Sequence, residues 1–323
     1  MMTKMITKEH FLMIGMLGTM MAAGLTACSG DDDTATNGST PQTADDGVKV
    51  RRLTITEADG GAAEARQSLT RASLTEDDGL TAKWTAGDAL TYCNLSTVDY
   101  GHGEAPFSGG LTAASTAATS QFTGNVTCSK GDKLAVVYPA ATFTTNSQYT
   151  ITLSGQDGTL AGLATHYHYV YGKAQVTAVT DAAAEATMPK MKSLLTVCKF
   201  SFVNKDGGAA IPVLSLSICY GGSGSDAGTY PPTATVSLKD TDDAILDQAD
   251  VHATGATGTG ALTVTCPSEQ EAVYVALLPT SAQRTFRFSV SDGSGNTYTG
   301  TAKATLAEGE YVAATGLKLT KQQ

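Results

Sequence analysis

The sequence predicts an all-β protein made of two antiparallel β-sandwich domains in tandem, and three observations predict it. Apolar and polar residues alternate with period two in one run after another, the mark of half-buried strands. The 323 residues include 34 Gly and 49 Thr, with only 16% charged, and Thr suits the wet face of a strand because its β-branch fits the pleat while its hydroxyl stays solvated. No segment has strong helical periodicity. At about 150 residues per domain, the length allows two separate cores.

The first 28 residues are an address. Lys4 and Lys8 precede the apolar stretch Phe11–Leu25, which is shorter than the roughly 20 residues that span a bilayer, so Met1–Ala27 is expected to be a signal peptide. Leu25-Thr26-Ala27-Cys28 matches the lipobox of bacterial lipoproteins. Cys28 is therefore the expected lipidation site, and acyl chains at about 0.8 kcal/mol per buried methylene would hold the chain on a membrane. Removing Met1–Ala27 takes away Lys4, Lys8 and Glu9, a net of +1, and moves the charge from −10 to −11.

Residues 28–47 are expected to be an acidic flexible tether. Ser29-Gly30-Asp31-Asp32-Asp33 opens it, and residues 29–47 contain no Val, Ile, Leu or aromatic side chain. As a coil they would average about 25 Å end to end. Asp33-Thr34-Ala35 resembles a bacterial O-glycosylation sequon, which makes Thr34 a candidate acceptor.

The body reads as two domains, 48–189 and 190–323. In the first, Tyr149, Ile151 and Leu153 alternate with Thr150, Thr152 and Ser154. In the second, Leu214, Leu216, Ile218 and Tyr220 alternate with Ser215 and Ser217; Leu262 and Val264 flank Thr263; and Phe286, Phe288 and Val290 flank Arg287 and Ser289. Asp78-Gly79, Gly87-Asp88, Gly131-Asp132, Asp157-Gly158, Asp206-Gly207 and Asp292-Gly293 supply turns. The boundary is placed near Pro189. The small-residue stretch Asp181–Thr187 before it has no evident core face, and Ala182–Thr187 could form one helical turn.

Charge and motifs restrict the chemistry. A net charge of −10 argues against a nucleic-acid partner. Cys93, Cys128, Cys198, Cys219 and Cys266 show no CxxC or Cys/His metal spacing and, being odd in number, cannot all pair; Cys198 and Cys266 share strand parity with apolar neighbours and read as buried small hydrophobes. His166 and His168 would share one face of a strand, with Tyr167, Tyr169 and Tyr171 on the other, and no third ligand is evident. Asp240, Asp242, Asp243, Asp247 and Asp250 lack the order of a calcium loop. No GxSxG, phosphate loop or HExxH occurs, so no enzyme, metal or cofactor is expected.

Several segments, taken in order, resemble the fimbrillin family, the subunits of type V pili. They are Thr70-Arg71-Ala72-Ser73-Leu74; Lys83-Trp84-Thr85-Ala86-Gly87-Asp88; Gln121-Phe122-Thr123-Gly124; Gly131-Asp132 through Tyr138-Pro139; Met191 to Phe200; and Ala307-Glu308-Gly309-Glu310-Tyr311-Val312. The resemblance spans most of residues 69–319. It implies two transthyretin-like β-sandwiches, a surface lipoprotein of the outer membrane, and assembly with other pilus subunits in support of adhesion to a host or bacterial surface. In that family an Arg-specific protease removes the first strand, and a neighbour's strand fills the groove. Such pairing is β-augmentation, in which backbone hydrogen bonds set register and alternate side chains fill pockets.

On this reading Val48–Thr56 is the removable strand. Val48 and Val50 have one parity and Leu53 and Ile55 the other, so a bulge at Arg51-Arg52 is expected to turn all four inward. Four or five such apolar groups at about 1.5–3 kcal/mol each give on the order of 10 kcal/mol gross. Processing is expected at Arg66 first, Arg71 second and Arg52 third. Leu317 and Leu319 lie near the end of the sequence, and if Tyr311–Leu319 serves the second domain itself, the expected place is a tip or an anchor. A monomeric surface lipoprotein that binds glycans is the rival reading, with Tyr167, Tyr169 and Tyr171 as a possible aromatic platform.

Overall fold

The computed structural model describes residues 49–58, 73–76, 80–97, 107–144, 147–238, 251–252 and 260–323. Cys28, Thr34, Arg66, Arg71 and the aspartates at 240–250 lie outside the described residues. In chain order the strands are β1 (Lys49–Glu57), β2 (Ser73–Glu76), β3 (Leu80–Lys83), β4 (Ala89–Asn94), β5 (Ser108–Ala113), β6 (Gln121–Cys128), β7 (Lys133–Tyr138), β8 (Gln148–Thr152), β9 (Val170–Val179), β10 (Ala183–Met188) and β11 (Lys192–Ser193). They continue with β12 (Thr196–Asn204), β13 (Ala210–Ile211), β14 (Val213–Tyr220), β15 (Thr233–Ser237), β16 (Val251–His252), β17 (Leu262–Gln270), β18 (Val273–Leu277), β19 (Arg284–Ser291), β20 (Thr297–Ala304) and β21 (Tyr311–Lys321).

The protein is all-β with two multi-stranded domains in tandem. The first sheet runs β10-β1-β6-β5-β4-β7-β9-β11, and β10 also pairs with β9, so the sheet returns on itself as a barrel-like ring. The second runs β13-β12-β21-β20-β19-β14-β17, with β18 also on β12. Pairing is antiparallel except for one parallel contact in each sheet, β1 on β10 and β21 on β12.

Two smaller sheets tie the halves together. β8 leaves the first ring and pairs with β15, from Thr152↔Thr233 to Gln148↔Ser237. The β2–β3 hairpin buries Leu74, Leu80 and Ala82 in a hydrophobic cluster that also holds Phe200, Phe202, Phe286 and Phe288 of the second sheet. The first ring keeps its own core around Leu53, Ile55, Trp84, Phe122, Val136 and Val176.

The sequence pattern departs from the structure in four places. Asp181–Thr187 is neither coreless nor helical: β10 turns Ala184, Ala186 and Met188 inward, and Ala is too small to announce a buried face in the sequence. His166–Tyr171 is not one strand. Residues 160–167 form a short helical segment capped by Thr159, which accepts a bond from the Gly162 amide at 2.9 Å. His166 is exposed and His168 buried, so the two do not share a face. Leu214 faces solvent because the β14–β17 register shifts between Val213 and Ser215. The fourth departure concerns β1 and is described with its seat.

All five body cysteines are buried free thiols. Burial pushes the Cys93 thiol up to about 11, as expected for a thiolate that has no charge partner to replace water.

The seat of the first strand as candidate functional site

β1 lies between β6, antiparallel to it from Lys49↔Cys128 to Thr56↔Gln121, and β10, parallel to it from Arg52↔Ala183 to Glu57↔Met188. Both edges of the strand are therefore paired. The β6 register runs without interruption, so the expected bulge at Arg51-Arg52 does not form. Strict alternation then sets the faces: Arg51, Leu53, Ile55 and Glu57 point inward, while Val50 is 66% exposed.

This overturns the expectation that four or five apolar side chains hold the strand. Among the described residues two large apolar groups do so, Leu53 and Ile55, both fully buried, which by area is about 3–6 kcal/mol gross; Val48 lies outside the described residues. Ile55 lies opposite Phe122 and Ala186, and Leu53 opposite Gly124 and Ala184. Gly124 is needed there: a Cβ would run into the backbone oxygen of Gly110 and come within 2.9 Å of Leu111 Cδ2.

The two ends of the inward row are polar. Arg51, 1% exposed, donates Nε to Thr180 O at 2.7 Å and a guanidinium nitrogen to Cys128 O. At the other end Glu57, 5% exposed, accepts the Trp84 indole N–H at 2.9 Å and the Met191 amide at 3.2 Å. Trp84 is sealed from solvent, with Phe122 and Tyr138 edge-on at centroid distances of 4.9 and 5.5 Å. Charge-assisted bonds of this kind are stronger than neutral ones, and their buried partners cannot turn to water if the strand departs. On the outer surface Lys49 meets Asp181 at 3.0 Å, which lowers the Asp181 carboxyl.

The next element, the β2–β3 hairpin, is held by different partners. Glu76 of β2 receives Lys199 Nζ at 2.7 and 2.9 Å, Tyr311 OH at 2.5 Å and the Tyr274 hydroxyl. These donors, Lys199 foremost, pull the Glu76 carboxyl down to about 2 and raise Lys199 in turn. Lys199, Tyr274 and Tyr311 belong to β12, β18 and β21, all of the second sheet. β1 is thus bound by the first ring, and the strand that follows it is clamped to the second half.

Of the processing candidates, Arg52 is described: its side chain is exposed, but its backbone pairs with Asn125 and Ala183. The inward pair Arg51 and Glu57, and β10 as the parallel neighbour, were not singled out by sequence reasoning. The signal for the pair was present, since strict period two places both on the face of Leu53 and Ile55.

The aromatic platform of the rival reading does not form. Tyr167, Tyr169 and Tyr171 are all buried, and their hydroxyls donate to Ser154 O at 2.9 Å, Thr152 O at 3.2 Å and Glu308 Oε1 at 2.9 Å. Among the described residues no cluster of His, Cys, Asp or Glu is arranged to hold a metal, and no helix is long and apolar enough to cross a membrane.

No family model matches the chain, and no curated protein matches it. Among solved structures, it is similar to a candidate cell adhesion protein of Bacteroides uniformis, with 13% identity and a TM-score of 0.49 over 88% of this chain and 98% of that one. A second candidate cell adhesion protein, from Bacteroides eggerthii, shares 13% identity with a TM-score of 0.38 over 84% and 87% of the two chains. The tip fimbrial protein Mfa3 of Porphyromonas gingivalis shares 9% identity with a TM-score of 0.35 over 78% and 81%.

Proposed function

We propose that the protein is a non-enzymatic fimbrial subunit, carried to the cell surface as a lipoprotein through Cys28, that joins its neighbours by exchange of a β-strand. The observation that carries this reading is the separate anchoring of β1 and β2. A cut anywhere between residues 58 and 73 leaves β2 clamped through Glu76 and frees β1 from the covalent chain. Loss of β1 would expose the facing edges of β6 and β10 and the apolar floor of Phe122, Ala184 and Ala186, a seat that a strand from another chain can fill by backbone pairing.

Arg66 and Arg71 fall in that interval, and Arg66 remains the first candidate. A protease binds its substrate as an extended segment with free backbone groups, so cleavage at Arg52 would require β1 to leave its two partners first. We propose the boundary of the two domains near Pro189, between β10 and β12.

β21 supports an acceptor role. It pairs with β12 from Val197↔Tyr311 to Asn204↔Leu319 and with β20 at Thr320 and Lys321, so residues 311–321 help to complete the second sheet and could be donated only by breaking it. A tip or anchor position needs a seat and no donated strand.

Mass spectrometry of surface-extracted protein, read beside an unboiled gel, tests this. An N-terminus after Arg66 or Arg71 together with a ladder of higher species is expected, and both should be lost in an R66A/R71A double variant. Incorporation of uncut, lipidated chain into a ladder would overturn exchange at the β1 seat.

A further inference from the structure

Resting on that reading of the seat, we infer that it is charge-coded. The strand it accepts carries a basic residue, two apolar residues and an acidic residue at alternate positions, in that chain direction, and comes from another protein chain. The partner is defined by what β1 itself satisfies. At one end of the seat the carbonyls of Cys128 and Thr180 converge on the Arg51 guanidinium. At the other the Trp84 indole N–H and the Met191 amide converge on the Glu57 carboxylate. One end presents acceptors, the other donors, and the seven residues Arg51–Glu57 of extended strand span them.

The floor between these ends takes two side chains of Leu or Ile size, over Gly124 and beside Ala184 and Ala186. Apolar filling alone would not fix direction, because Leu53 and Ile55 are nearly interchangeable in volume. The ends do fix it. A strand running antiparallel to β6 and parallel to β10 places its basic residue on the carbonyls and its acid on the N–H groups. A strand of the opposite charge order would set carboxylate against carbonyls and a cation against N–H donors in a site closed to water, and an unpaired buried charge costs far more than an absent methylene.

The occupant is then narrowed by the sequence. Among the 21 Lys and Arg of the 323 residues, only Arg51 is followed by apolar residues at the second and fourth positions and an acid at the sixth. β21 has no acidic residue from Tyr311 to Lys321, so among the strands of this sequence β1 alone carries the pattern, and in a second copy it already fills its own seat. The fit is to a different subunit that bears the pattern.

The test uses the full chain cleaved between residues 58 and 73, with fluorescent synthetic peptides as probes. One peptide has the sequence of residues 48–58. The second carries the R51E and E57R changes in the same frame, and the third carries R51M and E57L. Retention on the cleaved protein is read by native mass spectrometry, and displacement of β1 by the emission of Trp84, the single tryptophan. The native peptide should exchange in. The charge-reversed peptide should bind at least about a hundredfold more weakly, from two charged hydrogen-bonded ends at about 1.5 kcal/mol or more each. Equal retention of the native and reversed peptides, or tighter binding of the apolar one, would overturn the charge code while leaving strand exchange intact. Failure of all three peptides to enter would overturn the exchange reading itself. Retention in trans of uncut chains through a swapped β1 would replace the different subunit by a second copy.

Discussion

The Glu57 carboxylate receives the indole N–H of Trp84 at 2.9 Å, across 27 residues of sequence and in a site closed to solvent. An acid at the end of one strand is thereby tied to the largest side chain of the first core. Replacing it by Ala leaves a buried indole donor without its acceptor, and E57A is expected to destabilise the protein by about 1–3 kcal/mol. E57Q keeps an acceptor oxygen and should lose less. Urea unfolding followed by Trp84 emission measures both, and a null effect for E57A would show that the bond contributes nothing.

The neighbouring arginines separate burial from mere proximity. Arg51 is buried and bonded to two carbonyls, whereas Arg52 is exposed one residue later. R51A should cost about 2–3 kcal/mol, in keeping with charged bonds lost in the interior. R52A should stay within about 0.5 kcal/mol of the parent, as surface changes usually do. Equal losses at the two positions would contradict the inward row.

The seat is also sensitive to added volume. At Gly124 a methyl group meets the Gly110 backbone and Leu111, and backbone yields less readily than a flexible side chain. G124A is expected to cost about 1–3 kcal/mol and to raise hydrogen exchange in β1 and β6 before the rest of the ring. L53A, which empties the floor instead, should cost about 2–5 kcal/mol.

The Glu76 clamp carries a pH dependence of known sign. Its carboxyl ionises at about 2 in the fold against an ordinary value near 4.5. A depressed acid contributes stability that is complete above the unfolded value and is lost as pH falls through the folded one. Protection of the β2–β3 hairpin against hydrogen exchange should therefore decline between about pH 4.5 and 2, and E76Q should flatten that decline. A hairpin whose protection is unchanged across this window in the parent chain would remove the clamp from the account.

Strand positions were legible where large side chains alternate with Thr or Ser. Tyr149, Ile151 and Leu153, and Phe286, Phe288 and Val290, are all buried on one face as the pattern requires. Legibility failed where the buried face is made of Ala, as in β10, because a methyl group contributes little contrast against Thr and Glu. It failed again at Tyr167, which a helical turn and not a strand carries inward, and at Tyr169, which lies in the short link between that turn and β9. For β1 apolar character groups Val50 with Leu53 and Ile55 and calls for a bulge at Arg51-Arg52, whereas the strand keeps strict alternation, which leaves Val50 in solvent and turns Arg51 inward.

What the sequence determined by itself is the all-β class, the expected export signal before the body, and the strands whose side chains are large enough to impose alternation. Only the tertiary structure decided that Arg51 and Glu57 lie inside, that β10 runs parallel to β1, and that β2 is fastened to the far half through Glu76. The physical reason is that a residue's own chemistry fixes its preference for water, while the partners that can replace water lie far along the chain. Thr180 and Cys128 for Arg51, Trp84 and Met191 for Glu57, and Lys199, Tyr274 and Tyr311 for Glu76 are brought within bonding distance only by the closure of the sheets.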